Sequence, residues 1–164
     1  MSSNQSRHGG ASMDESSRYE RGLAKLREYT LEDAGGSQTH FKVAEELTDI
    51  APDVARYIIE FAYGDIYTRR HLTNQERAIV TVSSLVTLGT EAQIELHINT
   101  ALTSGISADK IVEILIQLIP YTGFPRVLNA LSVAKRVFTQ RGANVSTEHV
   151  DSVSAEPHRT SYGP

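Results

Sequence analysis

The sequence predicts an all-α protein, a compact subunit of several helices, and three observations carry that reading. Apolar residues recur at helical spacing through the middle of the chain. Thr73-Asn74-Gln75-Glu76 and Thr90-Glu91-Ala92-Gln93 both have the capping-box form, a hydroxyl followed three residues on by a carboxylate or amide. Glycines and prolines fall between the apolar runs, and no two-residue hairpin turn joins them. The β-branched stretches 79–86 and 111–119 would also suit strands; caps at both of their starts decide for helix.

A first helix is expected around Tyr19, Leu23 and Leu26, ending before Gly35-Gly36. A short second one covers about Thr39 to Leu47. Pro52 suits the first turn of a third, where its missing N–H would be unpaired in any case. There Val54, Ile58, Phe61 and Ala62 form one apolar stripe, which Gly64 weakens. The capping box at Thr73 opens a helix through Val86 that ends near Gly89. The pattern at Thr90 opens the next, Ile94 to Thr103, with Gly105 as its stop. Ser107 caps the run Ile111 to Ile119. Pro120, Gly123 and Pro125 break the chain before a last helix, Val127 to Gln140, closed by Gly142.

Two tails flank this centre. Residues 1–17 are rich in serine without apolar periodicity, and residues 143–164 carry only isolated valines. Neither can bury enough surface to offset its ordering entropy, so both are expected to be disordered around one domain, 18–142. A domain that small cannot cover helices as apolar as 79–86 and 111–119, which predicts a homo-oligomer.

Composition excludes several functions. The 164 residues include no cysteine, which removes disulfides, thiolate nucleophiles and zinc–thiolate sites. A formal net charge of −4 argues against a nucleic-acid partner. No apolar run reaches the roughly 18 residues of a membrane span, and the N-terminus lacks a signal peptide's apolar core. The chain is therefore read as cytoplasmic. Phosphate-binding glycine loops and a Gly-x-Ser-x-Gly elbow are absent. Glu91, Glu95 and His97 share a helix at spacings that keep them off one face, so no metal is expected.

The chemistry-bearing constellation is Glu91-Ala92-Gln93-Ile94-Glu95-Leu96-His97. Gln93 and His97 are i,i+4 neighbours, and His97 sits between apolar residues. It is either a packed histidine with one ring nitrogen satisfied or a group that exchanges protons near neutral pH. Arg77 and Arg126 are each a surface ion-pair partner or a clamp on a carboxylate. Tyr63, Tyr67 and Tyr121 are core or interface aromatics whose hydroxyls can orient a ligand.

Taken in order, these motifs resemble the carboxymuconolactone decarboxylase family. The resemblance rests on Arg18-Tyr19-Glu20-Arg21-Gly22-Leu23, Phe61 to Arg69, Leu72-Thr73 through Arg77, and Gln93 with Glu95-Leu96-His97. Asn99-Thr100-Ala101-Leu102, Tyr121-Thr122-Gly123-Phe124-Pro125 and Asn129-Ala130 complete it, across roughly 18–140. It implies an all-helical subunit of the alkyl hydroperoxidase D-like type, assembled as a trimer or hexamer. The peroxidase branch of that superfamily uses Cys-x-x-Cys, a histidine and an upstream glutamate. Thr90 and Gln93 stand at the cysteine positions and Ala78 at the glutamate, so thiol peroxidase chemistry is excluded. The decarboxylase branch is cofactor-free and turns 4-carboxymuconolactone into 3-oxoadipate enol-lactone. The resemblance thus implies His97 as the catalytic proton donor, with Arg77, Arg126, Gln93, Tyr63 and Tyr121 around a small lactone or carboxylate. A lactone-processing or isomerising enzyme and a non-catalytic acid-binding oligomer are the competing readings.

Overall fold

The computed structural model describes residues 11–30 and 45–146, with side chains from Arg18 onward. Every regular element among them is helical, and none is long and apolar enough to cross a membrane. They are α1 (Ala11–Arg27), α2 (Val54–Tyr57) with a π-helical continuation (Ile58–Tyr67), α3 (Asn74–Leu88), α4 (Glu91–Thr103), α5 (Ala108–Gln117), the single turn α6 (Ile119–Thr122) and α7 (Phe124–Arg141). The expected helix over Thr39 to Leu47 falls mostly outside the described residues.

Helices α3, α4, α5 and α7 enclose the main core. Val86, Ile98, Leu115, Val127, Val133 and Val137 are wholly buried there. Local signals explain the helix ends. Thr73 accepts from the Glu76 N–H while the Glu76 carboxylate accepts from the Thr73 N–H, closing the predicted box. Ser107 caps α5 by accepting from Lys110 N. Gly89, Gly105 and Gly142 stop their helices at positive φ, where a side chain would be strained. The second box does not form. Thr90 has φ −92° and ψ 82° and makes no side-chain cap; its hydroxyl turns back to the Leu85 carbonyl at 3.5 Å. The two-residue link between α3 and α4 is too tight to leave Thr90 in the extended conformation that a cap requires.

A second, smaller cluster joins α1 to the π-helical segment through Leu26, Tyr29, Ile59 and Tyr63. Here the expected stripe is corrected. Phe61 is exposed, and Ile59 and Tyr63 are buried in its place. The cause is the winding: a π-helix bonds i→i+5, so residues no longer repeat on the α-helical face. Gly64 also has a use that composition did not suggest. A Cβ on Gly22 would overlap the Ile59 carbonyl, and one on Gly64 would lie 2.8 Å from the Arg18 carbonyl. The two glycines are where the backbones of α1 and the π segment touch. Arg18 fastens the crossing, donating to both carboxylate oxygens of Asp65 at 3.2 and 2.6 Å.

Two boundaries move outward. Helix α1 begins at Ala11, inside the stretch expected to be tail, because no glycine or proline interrupts residues 11–21. Beyond α7, Ala143 packs on the core and Ser146 is pinned to α5, its N–H and hydroxyl both donating to Asp109 Oδ1 at 2.8 Å.

Candidate active site

Helix α3 presents Asn74, Arg77 and Thr81 along one stripe, an i, i+3, i+7 spacing that runs up one face. That face meets the α1–π pair through polar groups. Asn74 Oδ1 accepts from the Tyr29 hydroxyl and from Lys25 Nζ, both at 2.8 Å, while its amide donates to Glu28 at 2.9 Å. Tyr67 and Thr81 share a hydroxyl–hydroxyl bond of 3.1 Å. The rings of Tyr29, Tyr63 and Tyr67 pack edge-on or tilted, with centroids 4.8 to 6.0 Å apart.

Arg77 lies against this aromatic cluster and is only 8% exposed. Its Nη2 donates to the Arg69 carbonyl, and its guanidinium carbon sits 5.7 Å from the centre of the Tyr67 ring. Its Nε is buried without a hydrogen-bond partner among the described residues, and Arg77 joins none of their ion pairs. A buried guanidinium with an idle donor and no counter-charge is costly, by several kcal/mol after relaxation. An incoming anion would relieve that cost. Burial pushes the Tyr29 and Tyr63 hydroxyls well above the ordinary tyrosine pKa, with Tyr67 adding to it, so both remain protonated donors at neutral pH.

His97 is half-buried in the middle of α4, one turn beyond half-buried Gln93. Desolvation lowers its pKa to about 4, so the imidazole is neutral at pH 7 and carries one donor and one acceptor nitrogen. The α3–α4 register follows from Gln75, whose amide donates to the Ser104 and Gly105 carbonyls. At 1.5 Å per residue, His97 and Arg77 are then offset by roughly 8 Å along the hairpin axis. Nearby Glu95 pairs with Arg136 of α7 at 3.5 Å.

The remaining predicted residues lie elsewhere. Tyr63 is 2% exposed inside the aromatic cluster. Tyr121 is 76% exposed on α6. Arg126 is exposed in the first turn of α7, its guanidinium lying over Gly89 where a Cβ would collide with it. The structure therefore gathers Arg77 with Tyr63, places Gln93 with His97, and leaves Tyr121 and Arg126 near the start of α7. Sequence reasoning overlooked Tyr29 and Asn74. The α-helical register of Asn74 with Arg77 was a usable signal for the second; nothing local marks Tyr29, which reaches Asn74 across 45 positions. Among the described residues no three His, Asp or Glu side chains are placed to hold a metal ion. A cavity of about 570 Å³ lies apart from these residues, between α5 and α7.

Among the described residues, fold and site together define a small all-helical protein built on a four-helix core, with a histidine helix and a buried arginine whose Nε has no hydrogen-bond partner. The chain belongs to the carboxymuconolactone decarboxylase family, whose model matches residues 52–136. That span holds Tyr63, Arg77, Gln93, His97, Tyr121 and Arg126, and leaves α1 and Tyr29 outside it. A curated relative, the 4-carboxymuconolactone decarboxylase of Acinetobacter baylyi, is 28% identical over 130 residues, covering 79% of this chain and 93% of that protein.

Proposed function

We propose that the chain is a cofactor-free carboxy-lyase acting on a small lactone or enolisable carboxylate, 4-carboxymuconolactone being the first substrate to test. The observation that carries this reading is Arg77: a buried cation with an unused N–H, set in an aromatic wall, suits a carboxylate bound in a dry environment. Family membership supports the reaction class.

In such a reaction the bond to the carboxylate carbon breaks and carbon dioxide leaves. Its electron pair passes into the conjugated lactone carbonyl, and the resulting enolate takes a proton at carbon. Arg77 orients the carboxylate, and Tyr63, kept protonated by burial, is the proposed hydroxyl donor to the developing oxyanion. His97 is the proposed proton donor, with Gln93 beside it. Because burial keeps its imidazole neutral in the empty protein, the donor form must arise with the substrate: a bound anion nearby favours the imidazolium. Tyr121 and Arg126 would then contribute from another subunit or not at all.

That neutral state also favours a second reading. A neutral buried imidazole is a base, which suits an isomerase or lactone-processing enzyme that removes a proton from carbon. We further propose a homo-oligomer, a trimer or hexamer, because Leu88, Tyr121, Phe124 and Leu128 are all more than half exposed around one end of the core. Carbon dioxide release by the purified chain across a panel of lactone acids and β-keto acids tests the main reading. Proton exchange at carbon without carbon dioxide release would select the second.

A further inference from the structure

We infer that the cavity between α5 and α7 is a separate binding site for an amphipathic organic anion, one carboxylate on an extended apolar body. Its floor is Val112 of α5 with Leu131, Ala134 and Phe138 of α7. A second side is the chain itself: Gly142 turns at φ +60°, Ala143 N donates back to the Phe138 carbonyl at 2.9 Å, and residues 142–145 then run along the opening. The strap is tied at its far end, where Ser146 donates twice to Asp109 Oδ1. The strap gives the cavity a second wall, and its remaining side opens to solvent.

Its size of about 570 Å³ lies inside the range of pockets that enclose small organic ligands. Small Ala134 and Val112 leave the space that a leucine pair at those positions would fill. Polarity decides the ligand's chemistry. One cation, Lys135, stands at the rim beside the Thr139 hydroxyl, and it joins none of the ion pairs of the described residues. No acid is among the described lining residues, and Asp109 of α5 is engaged by the strap. A mainly apolar cleft in which Lys135 is the one cation among the described lining residues selects a ligand with one anionic end, and disfavours cations and dianions. The site shares no residue with Arg77, His97 or the tyrosine cluster, so it stands whether or not the proposed reaction does.

Isothermal titration of the full chain with dodecanoate tests this, with dodecyltrimethylammonium as a probe of equal tail and opposite charge. The expected result is saturable binding of one dodecanoate per chain and no comparable heat from the cation. Lys135→Glu, at an exposed position, should weaken dodecanoate about tenfold or more. Thr139→Trp, also exposed, should block the mouth, and Arg77→Ala should change nothing. Three results would each overturn the assignment: equal binding of both probes, binding unmoved by both rim variants, or no dodecanoate bound below about 1 mM.

Discussion

Replacing Arg77 by methionine separates a residue kept for function from one kept for stability. Methionine has similar length, carries no charge and is easily accommodated in an irregular apolar site. The arginine's burial costs several kcal/mol of lost hydration, and its idle Nε adds about 1–3 kcal/mol. Against this stand one charge-assisted bond to the Arg69 carbonyl, about 1.5–3 kcal/mol, and the Tyr67 face, about 1 kcal/mol. Arg69 lies at an exposed position, so water can take over at its carbonyl. The balance predicts that Arg77→Met is neutral or stabilising, by up to about 2 kcal/mol. For a chain of this size that is a rise in Tm of up to about 6 °C. Calorimetry at pH 7 reads it directly. If Arg77 binds the substrate carboxylate, the same variant loses kcat/KM, the opposite direction from its effect on the fold. A fall in Tm of more than about 6 °C would refute the reasoning, because the guanidinium would then be holding the α1–π pair on α3.

The His97 imidazole predicts an acid-labile fold. Its folded pKa of about 4 is below the unfolded value of 6.5, so the unfolded chain binds the extra proton and stability falls as pH drops from about 6.5 towards 4. The loss at pH 4.5 should be about 2–3 kcal/mol, and His97→Gln should abolish that part of the slope; parallel pH–Tm curves for the two proteins would contradict it. Gly22→Ala should destabilise by about 1–3 kcal/mol or more in urea titration, since its Cβ meets the Ile59 carbonyl, whereas Gly142→Ala has open space and pays only for its positive φ. Light scattering at micromolar concentration should give a trimer or hexamer, and a monomer mass would remove the case for shared burial of Tyr121, Phe124 and Leu128.

What was legible in the sequence is what contiguous residues encode. The Thr73 box, the Ser107 cap and the glycine stops at 89, 105 and 142 each depend on four or five neighbours, and each formed. Thr90 has the same letters as Thr73 but follows Gly89 directly, so the tight link between helices overrode its pattern. The π-helical segment was invisible because its apolar residues fit an α-helical stripe equally well on paper. Only packing against α1 at Gly22 and Gly64 selects Ile59 and Tyr63 as the buried pair. The site divides in the same way. His97 with Gln93 could be read from one helical turn. The surroundings of Arg77 could not, since Tyr29 and Tyr67 reach it from other elements and neither spacing nor composition signals their approach.

Arg77 is proposed to hold a carboxylate for decarboxylation while His97 supplies the proton. Carbon dioxide release from 4-carboxymuconolactone, followed for the wild-type chain, Arg77→Met and His97→Gln in parallel, tests it most directly. Turnover is expected from the wild type, with a decline of about 10²–10⁴-fold in kcat for His97→Gln and its oligomeric state kept. Arg77→Met should show a loss in kcat/KM carried largely by a higher KM. Carbon dioxide released equally fast by all three proteins, or by none of them on any lactone or β-keto acid offered, would contradict it.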